Sequence, residues 1–213
     1  MSAIIEQLNQ EHANMSRILD LLEHEIDVSG RGEVADFHLV QEIMDYCLDY
    51  PEACHHPKED AIYAVMIDRR PNLADEIADL SGAHAKLGRQ TQGAHGTVER
   101  IMRDGTLARD LVLNVFGTFL DSHRLHFELE EENFFPEAAR LLNDADWARV
   151  AQTLADRPNP LLIYAGDGRF ATLRQGILHM PVFRRLSDSE FAPSQNWLTP
   201  IVQRNDKRLR REP

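Results

Sequence analysis

Apolar residues along the first two thirds of the chain recur at alternating steps of three and four. This spacing places them on one side of a helix with 3.6 residues per turn, and it predicts amphipathic helices that each bury one stripe. The first stripe begins after Ser2, a typical N-cap residue, and ends at the loop 29–32. Its inward positions are Ile4, Leu8, His12, Met15, Leu19, Leu22 and Ile26.

Three further stripes follow, each long enough for a helix. Pro51 lies within the second and should kink or split it, because proline removes a backbone donor and clashes with the preceding turn. Pro71 suits the first turn of a third helix, and the fourth should end near Leu142. The inward positions of these stripes are Leu39, Ile43, Cys47, Tyr50, His55, Glu59, Ile62 and Met66; Leu73, Ile77, Leu80, His84, Leu87, Thr91, Ala94, Val98 and Ile101; and Val112, Phe116, Phe119, His123, His126, Glu130 and Phe134.

Four long helices with short connections predict an all-α, up-down-up-down four-helix bundle. Asp144 is placed to cap a short fifth helix over 145–154, so we assign residues 1–155 to the bundle domain. Residues 156–213 contain repeated glycine and proline breakers and predict an irregular C-terminal extension of unknown role. Its apolar residues should pack against the bundle or against another subunit, so it is the candidate surface for a homo-oligomer or a protein partner.

Composition and charge exclude several classes of function. The net charge of −12 argues against binding to the phosphate backbone of nucleic acids. No apolar run approaches the roughly 20 residues of a membrane span, and the N-terminal sequence lacks leader features, so no membrane partner and a cytoplasmic location are expected. The two cysteines, Cys47 and Cys54, are spaced neither for a disulfide framework nor for a structural zinc site.

Four histidines fall on the inward stripes of four different helices, namely His12, His55, His84 and His126. A buried imidazole costs free energy unless its nitrogens find partners, so this recurrence points to a shared ligand. Two of the four are followed four residues on by a glutamate on the same helix face, in the pairs His55–Glu59 and His126–Glu130. The sequence therefore predicts a metal centre with these six residues as ligands.

The donor count suits two metal ions. If both carboxylates bridge, each ion receives two imidazoles, two carboxylate oxygens and one bridging oxo or hydroxo oxygen, which leaves a sixth position open on each. Mixed imidazole and carboxylate ligation favours iron, with manganese as the alternative, over the thiolate-rich sites of structural zinc. Two carboxylates in one core would repel each other without a cation, so a purely structural role explains the pattern poorly.

The segments around these residues resemble the hemerythrin-like, or HHE cation-binding, family over roughly residues 1–140. They are NQEHANM around His12, HHPKED at 55–60, LSGAHAKL around His84 and HFELEEENFFP at 126–136. The resemblance implies a non-haem di-iron protein that binds or reacts with O2, NO or peroxide, in sensing, detoxification or the handling of iron and redox stress. The ligand set is most similar to the four-histidine, two-glutamate site of bacterial iron-sulfur-cluster repair proteins.

Two departures from the oxygen-carrying hemerythrins bear on function. Where those carriers have a second histidine one turn after the residue that matches His84, this chain has Gly88, which cannot ligate and leaves room for solvent or a small ligand. The fourth helix carries Glu130 where the carriers have an aspartate one residue further on. Both departures shift the expectation from reversible oxygen carriage towards redox chemistry with NO or O2.

Several neighbouring residues keep more than one interpretation. His123 is inward by phase and could be a further ligand, a hydrogen-bond partner of a ligand or an ordinary core histidine. His56 and Asp60 point away from the inward stripe, so each is expected to be solvated or to support a ligand. Because they adjoin His55 and Glu59, a shift of one residue in the register is the alternative, and it would bring them into the site. Glu131 belongs to a charge run that is typical of a solvated face.

Two other functions fit the same pattern. One is a di-iron oxidase or peroxidase acting on a small substrate, although ferritin-like sites of that kind use Glu-x-x-His and this chain has the reverse order. The other is a partner-recruiting module in which the metal is structural and the C-terminal extension binds the partner.

Overall fold

The computed structural model describes residues 2–75, 80–105 and 108–154, together with residues 170 and 173. Its elements are α1 (Ala3–Gly30), α2 (Phe37–Tyr50), a first π turn (Pro51–His55), α3 (His56–Arg69), a 3₁₀ turn (Pro71–Asp75), α4 (Leu80–Asp104), α5 (Arg109–Leu129), a second π turn (Glu130–Phe134), α6 (Phe135–Leu141) and α7 (Asp144–Thr153). No strand occurs among the described residues, so the all-α prediction is confirmed. None of the described helices has the length and apolar character that crossing a bilayer requires.

The first helix begins and ends where its sequence indicates. The Ser2 hydroxyl accepts a hydrogen bond from the Ile4 backbone N–H at 3.3 Å and caps the first turn. The helix ends at Gly30, and Gly32 then adopts a φ of +79°, a left-handed conformation that glycine reaches without strain. The buried face follows the predicted stripe except at its start, where Ile5 and not Ile4 is fully buried.

Two π turns interrupt the long helices close to prolines. Pro51 lacks the N–H that an α-helix would use, and the chain passes through a wider turn in which the His56 N–H donates to the Pro51 carbonyl. The prediction that Pro51 splits its helix is confirmed. The second π turn closes with the Phe135 N–H donating to the Glu130 carbonyl, one residue before another proline.

The long helices pack in a closed ring. α1 contacts α2 and α5, α2 also contacts α4, and α4 contacts α5, so each of these helices touches two neighbours. Short connections between consecutive helices favour antiparallel neighbours. Because α3 and α6 continue α2 and α5 beyond the π turns, the arrangement is the predicted helical bundle with a short additional helix, α7.

A large part of the core lies where α3 packs against α6 and α7. One cluster there consists of Ile5, Leu8, Ile62, Val65, Met66, Leu73, Leu80, Phe134, Phe135, Ala138, Leu142 and Val150. Burying one such leucine or phenylalanine side chain contributes about 1.5–3 kcal/mol. The cluster therefore anchors the helices that carry the inward polar residues.

The start of the third long helix differs from the prediction. Pro71 opens a 3₁₀ turn, and the described part of α4 starts at Leu80. Leu73 in that turn is buried as predicted, whereas Ile77 lies outside the described residues. Proline in a first turn is compatible with a 3₁₀ turn as well as with an α-helix, because neither needs its N–H there.

The cap of the fifth helix also differs from the prediction by one residue. The Asn143 side chain accepts from the Asp146 N–H at 3.1 Å, and the Asp146 carboxylate accepts from the Asn143 N–H at 2.9 Å. This reciprocal capping box satisfies two backbone donors together. Asp144, the predicted cap, is instead the first residue of α7.

Part of the C-terminal extension packs against α2. Phe170 is buried with its ring edge-on to the Tyr46 ring, at 5.8 Å between centroids. Leu173 is also buried, and its N–H donates to the Glu42 carboxylate at 2.9 Å. At these two positions the bundle covers the apolar residues, as one of the two predicted arrangements requires. The predicted domain boundary at 155/156 lies outside the described residues and stays a prediction.

The capping box predicts an ordering of two neighbouring substitutions. Asn143→Ala removes the side-chain acceptor of α7 and should lower the free energy of unfolding by about 1 kcal/mol. Asp144→Ala removes only an acidic side chain from the first turn and should cost about 0.3 kcal/mol. Urea unfolding followed by circular dichroism measures both, and an equal or larger loss for Asp144→Ala would contradict the observed cap.

Candidate metal centre

Six buried polar residues meet between the long helices. They are His12 (α1), His55 (first π turn), Glu59 (α3), His84 (α4), His126 (α5) and Glu130 (second π turn). None is more than 7% exposed, and His55 and Glu59 are fully buried. The structure thus brings together all six residues that the sequence predicts as ligands.

Their donor atoms belong to two groups of four. The first donor group is His12, His55, Glu59 and Glu130, and the second donor group is His56, Glu59, His84 and His126. Within each group the donor atoms lie within 4.8 Å of one another. Because Glu59 belongs to both groups, the two candidate cation positions are adjacent.

Both glutamates direct one oxygen towards each side of the centre. Glu59 Oε1 lies 3.2 Å from His55 Nε2, and Glu59 Oε2 lies 3.3 Å from His84 Nε2. Glu130 Oε2 lies 3.3 Å from His12 Nε2, and Glu130 Oε1 lies 3.4 Å from His84 Nε2. Carboxylates arranged in this way can bridge a pair of cations.

The buried carboxylates lack the partners that buried charges need. Both oxygens of Glu59 and Oε2 of Glu130 have no hydrogen-bond donor, and His126 Nε2 has no hydrogen-bond partner. An uncompensated buried carboxylate costs several kcal/mol, so the site requires positive charge. Donor atoms on adjacent corners of an octahedron, each about 2.1 Å from a cation, lie about 3 Å apart. The distances above match this spacing, as does the 2.9 Å between His12 Nε2 and His55 Nε2, so the residues fit a pair of cations.

The same carboxylates shift the pKa values of two histidines. Burial by itself would lower the pKa of His12, but Glu130, Glu131 and Glu59 outweigh burial and raise it to about 11. At His84 burial is likewise outweighed by Glu130 and Glu59, and the pKa rises to about 10. The negative charge that raises these pKa values also favours a bound cation.

Carboxylates also face the outer nitrogen of three histidines. The pairs between Nδ1 and a carboxylate oxygen are His12–Glu131 at 2.9 Å, His55–Glu11 at 2.8 Å and His84–Asp60 at 3.3 Å. Outer carboxylates of this kind fix the tautomer and orientation of metal-binding histidines and raise their basicity. Hydrogen bonds at Nδ1 therefore hold the His12 and His55 rings with Nε2 towards Glu59 and Glu130, and the His84 ring has the same orientation.

A buried ion pair stabilises one of these outer carboxylates. Glu11 is 4% exposed and accepts, besides the bond from His55, a hydrogen bond at 2.6 Å from the Lys58 ammonium, which is 6% exposed. Burial opposes the ionisation of Glu11, but the bonds from His55 and Lys58 lower its pKa to about 2. Spacing along one helix cannot indicate this pair, because it joins α1 to α3. The sequence does contain one indication of it, because opposite charges directly precede two of the predicted ligands, Glu11 before His12 and Lys58 before Glu59.

Two acidic residues outside the stripes support ligands. Glu131 is predicted to be solvated, and this is only partly observed. Its side chain is half exposed, but its carboxylate accepts a hydrogen bond from His12. Asp60 is half exposed and its carboxylate lies 3.3 Å from His84 Nδ1, so its surroundings combine the two roles predicted for it.

His56 is buried, which contradicts the prediction that it points away from the interior. Its side chain is 7% exposed, and its ring stacks on the His84 ring with centroids 4.0 Å apart and planes at 8°. The prediction assumes that α-helical geometry continues through this segment. The first π turn instead contains one residue more than an α-helical turn, so the side chains after it point in directions rotated from those that an α-helix would give. His55 and His56 therefore both reach the interior.

His123 lies outside both donor groups. Its Nδ1 donates to the Phe119 carbonyl at 2.9 Å, and its ring lies 4.1 Å from the Phe119 ring. Burial lowers the pKa of His123 to about 4, as it does at His126. Of the three interpretations that the sequence leaves open, the ordinary core histidine matches these surroundings.

A cavity of about 280 Å³ opens beside Gly88, where the sequence predicts room for solvent or a small ligand. A Cβ at Gly88 would come within 3.0 Å of Glu52 Oε1, which itself lies 3.5 Å from His56 Nδ1. Glu52 therefore contacts both the cavity and the second donor group. The lining residues are Cys47, Leu48, Glu52, Ala85, Gly88, Arg89, Thr91 and Gln92.

The first π turn predicts the effect of a one-residue deletion. Deleting Ala53, an exposed residue of that turn, should restore an α-helical phase and withdraw His55 or His56 from the interior. We expect helix content to persist in circular dichroism while bound metal per chain, measured by elemental analysis, falls by about half or more. Ala53→Ser keeps the length of the turn and should retain the metal. An unchanged metal content after the deletion would contradict this role of the turn.

Comparison with known protein families matches the region that holds this centre. The profile described as the hemerythrin HHE cation binding domain matches residues 3–138, a range that contains both donor groups. A search of curated proteins and a search of solved structures each find no match. The matched range covers more than half of the chain and ends before the C-terminal extension. The chain therefore belongs to the hemerythrin HHE cation-binding domain family.

Proposed function

We propose that this chain is a non-haem di-iron protein whose centre binds or reacts with O2, NO or peroxide. The observation that carries the proposal is Glu59, which is fully buried and has histidine nitrogens at 3.2–3.6 Å from its two oxygens but no well-formed hydrogen bond to either. Each of its oxygens faces a different group of histidine nitrogens, and Glu130 repeats this arrangement from another helix. Membership in a cation-binding family supports the same conclusion.

Iron is the metal that the donor set favours. Both donor groups combine imidazole nitrogens with carboxylate oxygens, a mixture that suits iron, with manganese as the alternative. Structural zinc sites prefer tetrahedral, thiolate-rich ligation, and neither Cys47 nor Cys54 belongs to a donor group.

The proposed setting is the cytoplasm, with no nucleic-acid or membrane partner. Cys47 and Cys54 form no disulfide, which suits a reducing compartment. The net charge of −12 opposes association with phosphate backbones and with anionic lipid surfaces.

The residues of the chain position the centre and shield it from water. Bound iron would supply redox and Lewis-acid chemistry towards small oxidants and gases. Glu59 and Glu130 would bridge the two ions, and histidines oriented by outer carboxylates would anchor them. Phe127 stacks on His12 at 4.4 Å between centroids and Phe135 lies at 5.3 Å, so apolar rings cover this side of the site.

A di-iron oxidase or peroxidase acting on a small substrate is the second candidate. The cavity beside Gly88 favours it, because about 280 Å³ is close to the lower limit of small-molecule pockets. Glu52, Arg89 and Gln92 in its wall offer charge and hydrogen bonds to a polar substrate. Catalytic consumption of a reducing substrate with peroxide, in place of reversible ligand binding, would distinguish this function.

Anaerobic purification followed by iron counting and optical spectroscopy tests the proposal. We expect about two irons per chain and absorption bands that change when O2, azide or NO is added. Reversible O2 bands indicate binding, whereas irreversible oxidation by O2 together with a new absorption on adding NO indicates reactive chemistry.

A double substitution tests the site itself. His55→Ala combined with Glu130→Ala removes two of the four residues of the first donor group and should abolish the iron pair. His38→Ala replaces an exposed histidine that belongs to neither group and should retain full iron content. If the double variant also retains it, the site is assigned to the wrong residues.

Metal binding should release protons and strengthen as the pH rises. The pKa of His12 is about 11 and that of His84 is about 10, both above the ordinary 6.5, so both are protonated near neutral pH in the absence of metal. Because a cation needs the neutral imidazole, about two protons should leave these residues on loading, and competition from protons should weaken towards alkaline pH. Calorimetry in buffers of different ionisation enthalpy measures the proton count. A metal affinity independent of pH would contradict the raised pKa values.

A further inference from the structure

We propose that His56 is a fifth imidazole ligand, so that the second donor group completes the coordination of its cation and the first group retains the one open position. The inference rests on the proposed pair of cations. It changes the number of positions at which a small ligand binds, because the sequence predicts one open position on each ion.

The position of His56 is that of a ligand. His56 offers a donor atom within 4.8 Å of those of Glu59, His84 and His126, and its side chain is buried. Its ring stacks on His84 at 4.0 Å and meets the His126 ring edge-on at 6.0 Å. Three imidazoles therefore surround one side of the Glu59 carboxylate.

The surroundings of His56 repeat those of the sequence-predicted ligands. The histidines of α1, the first π turn and α4 each turn Nδ1 towards a carboxylate and Nε2 towards the centre. His56 Nδ1 likewise faces a carboxylate, Glu52, at 3.5 Å, a contact longer than the hydrogen bonds at His12 and His55. The buried His123, by contrast, donates Nδ1 to a backbone carbonyl. A carboxylate at the outer nitrogen is a recurrent feature of histidines that bind metal.

α4 has no donor residue one turn after His84, and α3 supplies the further imidazole instead. Four residues after His84, the position on the same face of α4 is Gly88. A Cβ there would meet Glu52 Oε1 at 3.0 Å, so the space holds the carboxylate that supports His56. The second donor group therefore takes its third imidazole from α3.

With His56 as a ligand, the two proposed cations have different numbers of protein ligands. Glu59 and Glu130 send one oxygen to each side, and a solvent oxygen would be common to both bound ions. Three imidazoles complete six ligands on the second side, whereas two imidazoles on the first side give five. A small ligand should therefore bind beside His12 and His55.

Azide titration of the iron-loaded, oxidised protein counts the open positions. We expect about one azide per iron pair at saturation in the unaltered chain. His56→Ala removes an imidazole from the second group, so it should raise the count to about two azides per pair or lower the iron content to about one per chain.

Two further variants separate the loss of a ligand from damage to the fold. His123→Ala removes a buried imidazole outside both donor groups and should change neither count. His56→Ala combined with Gly88→His returns an imidazole from the next turn of α4 and should restore about one azide per pair. The backbone at residue 88 accepts a Cβ, because the atoms within 4 Å of that Cβ belong to the far end of the Glu52 side chain, which can move.

The outcomes distinguish this inference from the proposed function. If the unaltered chain holds no iron pair, the proposed function fails. If it holds two irons but binds two azides, or if His56→Ala changes neither the iron nor the azide count, the proposed function stands and the fifth ligand is refuted. The fifth ligand is also contradicted if His56→Ala combined with Gly88→His has the same iron content and the same azide count per iron pair as His56→Ala alone.

Discussion

The burial of Glu59 without a hydrogen-bond donor is the constraint on which the rest of the structure depends. A carboxylate in a protein interior stays charged only if positive charge compensates for its lost hydration. Here it has imidazole nitrogens on two sides, and Glu130 adds a second charge of the same sign next to it. Two like charges so close together need cations between them. The same negative charge raises the pKa values of His12 and His84, because it stabilises a bound proton as it would stabilise a metal cation.

A second layer of charge makes this arrangement compatible with a packed core. The outer carboxylates polarise the histidines of the centre, but each adds negative charge near it. Glu11 is the most deeply placed of them, and the buried Lys58 ammonium neutralises it at 2.6 Å. Glu131, Asp60 and Glu52 reach the surface, where water screens them. The layer thus supports the rings without a further buried charge that lacks a partner.

The π turns determine which residues enter the centre. His55 closes the first of them and Glu130 opens the second, so each lies where the helical phase changes. A π turn weakens regular hydrogen bonding, and such turns occur frequently at functional sites. In this bundle the first one leads into two consecutive buried histidines, His55 and His56, whose directions depend on that wider turn. The unequal distribution of imidazoles between the two donor groups follows from that local change of phase.

The sequence by itself determined the helical bundle and the six residues His12, His55, Glu59, His84, His126 and Glu130, because helical periodicity and i, i+4 pairs are local properties of a chain. Only the tertiary structure decided that His56 is buried, since its direction depends on a π turn whose geometry forms within the packed bundle. The Glu11–Lys58 pair and the docking of Phe170 on Tyr46 join elements distant in sequence, so no periodicity encodes them. The number of donor residues on each side of the centre likewise depends on packing between helices, and it cannot be counted along the chain.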